Sequence, residues 1–163
     1  MKASALVTAH TIGLQEGQTS LVCLDTRYIA GIMMLVRSLE VGMNILAIEP
    51  CANPLEKIVD HKVVDFAAFA PYQVKSILQS PQKKYFNQVK SILIGGAPLD
   101  ELTKLELQDY SCQFYESYGM TETISHIALK KINGINKSDY FKILNGITIR
   151  QDKRGCLCIK ARR

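Results

Sequence analysis

Two short segments hold the residue types that phosphate chemistry uses. Residues 115–123 (YESYGMTET) place an aromatic ring, a glycine, hydroxyls and a carboxylate at the end of an apolar, strand-like stretch. The face of Tyr118 can cover a purine, the hydroxyl of Thr121 can donate to a phosphate oxygen, and the carboxylate of Glu122 can hold Mg²⁺. That combination suits a nucleotide whose phosphate is attacked. It equally describes a polar loop whose threonines cap a helix or bond the backbone. The second segment, residues 94–99 (IGGAPL), lies upstream. Gly95 and Gly96 lack Cβ atoms and let a ligand approach the backbone closely. Pro98 is expected to open a helix carrying Asp100 and Glu101 in its first turn. Taken alone, this segment also reads as a tight strand-to-helix turn.

Both segments follow a short apolar strand, and open parallel sheets bind ligands beyond the carboxyl ends of their strands. The elements that must present them alternate along the chain. Residues 1–14 have near-helical apolar spacing (Ala5, Leu6, Ala9, Ile12), with Gly13 as a stop. Residues 19–24 read as a strand and 28–41 as a long helix ending at Gly42. Next come a buried strand over 44–48, a short helix over 55–60, a strand over 65–69, and a helix over 72–79 opened by Pro71. A strand over 91–94, a helix over 98–108 and a strand over 112–115 follow. Apolar strands alternating with helices imply an α/β fold, a mostly parallel sheet flanked by helices on both faces. After Glu122 the pattern changes to strands over 125–132, 146–150 and 156–160, separated by Gly and Asn turns. The chain is therefore expected to be a single α/β domain over 1–163, with a parallel portion at 1–124 and a small β-rich portion at 125–163.

Composition narrows the class. The chain has 163 residues, 47% apolar and 21% charged, with a net charge of +5. Those values fit an ordinary globular domain and exclude disordered, collagen-like or low-complexity protein. The longest apolar stretch, residues 29–36, is closed by Arg37 and falls far short of the ~20 residues of a membrane span. No secretory signal pattern is visible at the N-terminus, and five cysteines at irregular spacing fit a reduced, cytoplasmic setting. Cys156 and Cys158 are read as packed strand cysteines rather than a metal pair. Residues 129–163 carry ten basic and two acidic side chains, hence +8. These basics interleave with strand-like alternation and lack aromatic stacking platforms, so a solvated face is favoured over a nucleic-acid surface.

The order of IGGAPL and YGMTET resembles that of the adenylate-forming family: acyl-CoA and aryl-CoA synthetases, luciferases and non-ribosomal adenylation domains. Two further stretches, residues 12–45 and DFAAFAPYQVKSIL, are similar to the family's flanking strands and helices, so the resemblance covers nearly the whole chain. Within the family, MKASA, YIAGIMMLVRSL and GMTETISHIALKKING with the following SDYF most resemble the o-succinylbenzoate-CoA ligases of menaquinone biosynthesis. The resemblance implies ATP, Mg²⁺ and CoA as reactants and cofactors, and a small carboxylic acid as substrate. It implies that Tyr118 stacks on adenine, Thr121 contacts the α-phosphate and Glu122 coordinates Mg²⁺. Gly95, Gly96, Ala97 and Pro98 would line the adenine and acyl side, with Gly119 and Met120 in the same nucleotide motif. Tyr28 stands where the family usually has His and Asp25 where it usually has Pro, which marks Arg27 and Tyr28 as candidate acid contacts. Ser125 and His126 follow the motif and are candidates for the acyl pocket, although a plain strand position suits His126 equally.

The family's phosphate loop, ribose-binding Asp and C-terminal domain with its catalytic Lys find no counterpart here. The resemblance thus implies part of a longer enzyme, inactive by itself and completed by the remainder of its parent chain. A fatty-acid or other aryl-acid CoA ligase remains an alternative, as does a non-catalytic α/β nucleotide-binding module.

Overall fold

The computed structural model describes residues 1–58 and 63–161. Helix α1 (Lys2–Ile12) leads into strand β1 (Thr19–Val22), helix α2 (Ile29–Val41) and strand β2 (Asn44–Ala47). Strand β3 (Phe66–Phe69), helix α3 (Pro71–Leu78), strand β4 (Ser91–Ile94), helix α4 (Glu101–Glu106) and strand β5 (Gln113–Gly119) follow. The chain then turns into β6 (His126–Lys131), β7 (Lys142–Ile143), β8 (Ile147–Gln151) and β9 (Leu157–Ala161). One seven-stranded sheet runs β2-β1-β3-β4-β5-β6-β7, and β8 and β9 form a separate hairpin. The pairs from β2 through β5 are parallel, as the alternation of strands and helices implied.

Strands β3 and β4 are buried along their whole length, and their alternating side chains feed two cores. On one face Ala67, Phe69, Ile92, Ile94 and Phe114 pack against Val74 and Ile77 of α3, with Phe86 and Leu107. Phe86 meets Tyr110 and Phe114 edge to face, at centroid separations of 5.3 and 5.2 Å. Such pairs add about 0.5–1.5 kcal/mol each beyond the area they bury. On the other face Phe66, Ala68 and Leu93 pack against Ile12 of α1 and Met34 of α2. Arrangement of helices on both faces leaves the carboxyl ends of the strands open, where both motif segments lie.

The structure departs from the sequence reading at several elements. Strand β2 is an edge strand and largely exposed, because its second neighbour is solvent rather than another strand. The helix expected over 55–60 is a 3-10 turn, Pro54–Lys57; residues 59 and 60 lie outside the described residues. Pro98 does not open α4. Asp100 does, its carboxylate accepting from Thr103 N at 3.0 Å and Thr103 Oγ1 at 2.8 Å, which satisfies a free amide of the first turn. The Thr103 bonds, with the Lys75 ammonium 2.9 Å away, hold the Asp100 carboxyl well below its ordinary range.

At the C-terminal end, β6 does not leave the main sheet but reverses direction and pairs antiparallel with β5, and β7 extends it. The β-rich tail proper is the β8–β9 hairpin. Cys156 is exposed and Cys158 half-buried there, so the pair does not sit in a core as expected; Cys23 and Cys112 do. All five cysteines are free, and burial pushes the Cys23 thiol up to about 12. No helix among the described residues is long and apolar enough to cross a membrane.

Candidate functional site

A cavity of about 310 Å³ opens beyond the carboxyl ends of β1, β3, β4 and β5. Helix α2 supplies one wall through Ile29, Ala30, Met33, Met34 and Arg37, and Ala68, Phe69 and Leu93 line it from the central strands. The other side is made by Gly95, Gly96 and Ser117, by Gly119, Met120 and Thr121, and by Ile124, Ser125 and His126.

Two glycines let these segments come together. A Cβ on Gly95 would strike the Ser117 hydroxyl, which donates to Ile94 O at 3.1 Å and so takes up that space. A Cβ on Gly119 would collide with Ser125 O and the His126 backbone, where the β5–β6 ladder shifts register. Beyond Gly119 the Thr123 hydroxyl ties the turn, lying 3.0 Å from Met120 N, 2.8 Å from Met120 O and 2.7 Å from Ser125 O. Ile124 follows with φ 70° and ψ −41°, a positive-φ conformation that a β-branched side chain disfavours. Strain of that kind costs about 1–3 kcal/mol and persists where surrounding bonds fix the backbone.

Seven of the residues singled out by sequence line the cavity: Gly95, Gly96, Gly119, Met120, Thr121, Ser125 and His126. Ala97 and Pro98 lie exposed on the same loop, outside the lining. Tyr118 also stands outside it, half-exposed, its ring tilted against Phe141 at 5.8 Å. Glu122 is exposed in a 3-10 turn, Thr121–Thr123, beside the cavity-lining Thr121. Arg27 and Tyr28 do not join the lining. Arg27 is held at the surface by Asp25, Nε lying 2.9 Å from Oδ2, and Tyr28 is 68% exposed.

Sequence reading missed Arg37. Its side chain lies in the cavity wall at 1% exposure, with no carboxylate within ion-pair distance among the described residues. Its Nη1 donates to Met34 Sδ at 3.4 Å, a weak acceptor; its Cζ lies 5.6 Å from the Phe66 ring centroid; its Nε has no partner. Burial lowers its pKa to about 10. A signal was available: Ala30, Met33, Met34 and Arg37 follow the i, i+3, i+4, i+7 rule of one helix face. The cation thus lies on the apolar stripe that must face inward.

His126 lines the same cavity from the other side. The Thr8 hydroxyl lies 3.0 Å from Ser4 O and 2.7 Å from His126 Nε2. Nδ1 lies 3.3 Å from Ser125 Oγ. Burial first, and the charge on Arg37 second, lower the His126 pKa to about 3.

A single carboxylate, that of Glu122, stands next to the cavity-lining Thr121 and could share a Mg²⁺ ion with the phosphates of a nucleotide. No cluster of three or more His, Cys, Asp or Glu side chains able to hold an ion occurs among the described residues. Mg²⁺ is commonly held by one or two carboxylates together with substrate phosphates, and Glu122 supplies one such carboxylate at the rim.

Residues 2–150 match the family model of the AMP-binding enzymes. The chain belongs to the AMP-binding enzyme family. It is similar to the 2-succinylbenzoate–CoA ligase of Bacillus mycoides, at 25% identity over 127 residues covering 77% of this chain and 26% of that protein. The chain thus spans about a quarter of the length of that curated relative. A crystal structure of an acyl-CoA synthetase (AMP-forming)/AMP-acid ligase II-like protein from Dyadobacter fermentans superposes with a TM-score of 0.92 at 42% identity, over 98% of this chain and 46% of that one. The o-succinylbenzoate coenzyme A synthetase of Bacillus subtilis, solved with ATP and a magnesium ion, shares the fold with a TM-score of 0.77 at 22% identity, over 97% of this chain and 36% of that one.

Proposed function

We propose that these residues form the nucleotide and acid site of an AMP-forming acid–CoA ligase whose acid is o-succinylbenzoate, in menaquinone biosynthesis. In that reaction a carboxylate oxygen attacks the α-phosphorus of ATP, giving the acyl-adenylate and releasing pyrophosphate. The CoA thiolate then attacks the acyl carbon, and AMP leaves as the thioester forms. The remainder of a parent chain completes the site; these residues alone are inactive.

The observation that carries the choice of acid is Arg37, a cation without a counter-charge among the described residues in the wall of the cavity. o-Succinylbenzoate has two carboxylates. The one on its succinyl arm is activated, and the one on its ring stays an anion through both steps. A planar guanidinium pairs with such a carboxylate through parallel charge-assisted hydrogen bonds. A fatty acid would instead set methylenes against a buried charge and leave its desolvation uncompensated. His126, held neutral, adds no second positive charge beside Arg37.

Phosphoryl and acyl transfers of this kind are catalysed mainly by alignment and by charge stabilisation. Tyr118 offers its ring to the adenine, with Gly95, Gly96, Ala97 and Pro98 along the adenine and acyl side and Gly119 and Met120 beneath. The Thr121 hydroxyl donates to an α-phosphate oxygen. Glu122 would hold Mg²⁺ against the phosphates, where the ion neutralises their charge. Arg27 and Tyr28 lie outside the cavity lining, and Arg37 takes the acid-selecting role.

The test is acid-dependent ATP–pyrophosphate exchange by the full-length protein. Exchange on addition of o-succinylbenzoate, and none with fatty acids, is expected. Absence of exchange with every acid, from folded protein, overturns the assignment. Glu122→Gln should raise the Mg²⁺ concentration needed for half-maximal exchange while leaving the melting temperature unchanged; an unaltered Mg²⁺ dependence contradicts its role.

A further inference from the structure

Glu116 is a buried carboxylate that the proposed chemistry does not use. It sits on β5 at 4% exposure, and the two oxygens serve different parts of the molecule. Oε1 accepts from the backbone N–H of Leu99, at the end of the 94–99 segment, at 3.0 Å. Oε2 lies 2.7 Å from Lys130 Nζ and 3.8 Å from Lys104 Nζ. Lys130 stands over the Phe141 ring at 4.8 Å, and that ring packs against Tyr118. Glu116 therefore connects the loop of Gly95 and Gly96, through Lys130, to the Phe141 ring that packs against Tyr118.

We propose that Glu116 is a positioning residue that fixes the spacing between the 95–99 loop and Tyr118, and so sets affinity for the nucleotide. This rests on the reading of the site as an ATP site. The neighbouring Ser117–Ile94 bond constrains only the strand end, and Asp100 caps α4 beyond the loop. Among the described residues, Glu116 is the hydrogen-bond partner of Leu99 N. A buried carboxylate is a costly way to bind one amide unless a cation balances it, and Lys130 does so while also holding Phe141.

Removing the charge alone would strand Lys130 and confuse misfolding with misplacement, so the comparison uses two doubly neutral variants of the full-length protein. Glu116→Gln with Lys130→Met keeps an oxygen for Leu99 N–H; Glu116→Leu with Lys130→Met does not. Both lose the same contact over Phe141. The Leu variant should show a KM for ATP about tenfold above that of the Gln variant, with kcat changed far less. Amide exchange of the 95–103 peptide should be faster in the Leu variant only. Equal KM values in two folded variants overturn the proposal, since a merely structural Glu116 would not separate them. If the wild type fails to use ATP, the ATP-site reading falls and the proposal with it; the exchange measurement then shows whether the brace exists as a structural tie alone.

Discussion

Arg27 and Arg37 lie ten positions apart, one before α2 and one near its end, in opposite electrostatic settings. Arg27 is exposed, and its guanidinium is neutralised by Asp25 in a local turn where Asp25 Oδ1 also accepts from Arg27 N at 2.8 Å. Arg37 is enclosed by Met34 and Phe66 and meets no acid among the described residues. A charge already answered at the surface has little left to offer a ligand. A charge taken out of water and left unanswered is costly to the fold, and a ligand anion can repay that cost.

The largest effect should follow from removing the unanswered charge. Arg37→Met in the full-length protein should lower kcat/KM for o-succinylbenzoate by at least about thirtyfold, in line with about 2–5 kcal/mol for breaking a buried, hydrogen-bonded charge pair. The variant should melt no lower than wild type, because an apolar chain of similar length replaces a buried, unpaired cation. Steady-state kinetics and calorimetry read the two halves. Retained kinetics would show that the two arginines do not differ in the way described.

A smaller effect concerns His126. Its folded form is neutral and its pKa lies near 3, whereas the unfolded chain takes up a proton near the ordinary value of 6.5. Protonation therefore favours unfolding, and the stability present above pH 6.5 is lost as pH falls from 6.5 towards 3. Across that window the melting temperature of His126→Gln should rise relative to that of wild type as pH falls, because the variant has no group to protonate. Arg37→Met should raise the His126 pKa in an NMR titration only modestly, because burial rather than the arginine is the first cause of the shift. An unmoved titration would mean that the two side chains do not sense each other.

The smallest effect is expected at the surface pair. Arg27→Ala should change kcat/KM within about twofold, as exposed ion pairs contribute little and salt screens them. A larger loss would give Arg27 a direct part in acid recognition and narrow the difference between the two arginines.

The sequence made the layered architecture legible because the buried strands β3 and β4 are short apolar runs between helical patterns, and their burial follows from that composition. It also exposed the segments around Gly95 and Thr121, since glycines at close approaches and hydroxyls beside a carboxylate are local features. What it hid depends on neighbours distant along the chain. Strand β2 reads as apolar but has no strand on its outer side. The reversal at His126 depends on pairing with β5 rather than on any residue of β6. Arg37 looked like the polar end of an apolar stretch, and its place on the stripe of Ala30, Met33 and Met34 becomes meaningful only when the opposite wall is known. Glu116 was passed over for the same reason, because its partners Leu99 and Lys130 belong to separate segments.

The central claim is that Arg37 reads a second carboxylate. ATP–pyrophosphate exchange should be measured with o-succinylbenzoate and with 3-benzoylpropionate, which has the same skeleton without the ring carboxylate, for wild type and Arg37→Met. Wild type should strongly prefer the dicarboxylate, and the variant should lose that preference while still exchanging with the monocarboxylate. A preference that survives in Arg37→Met would contradict the claim.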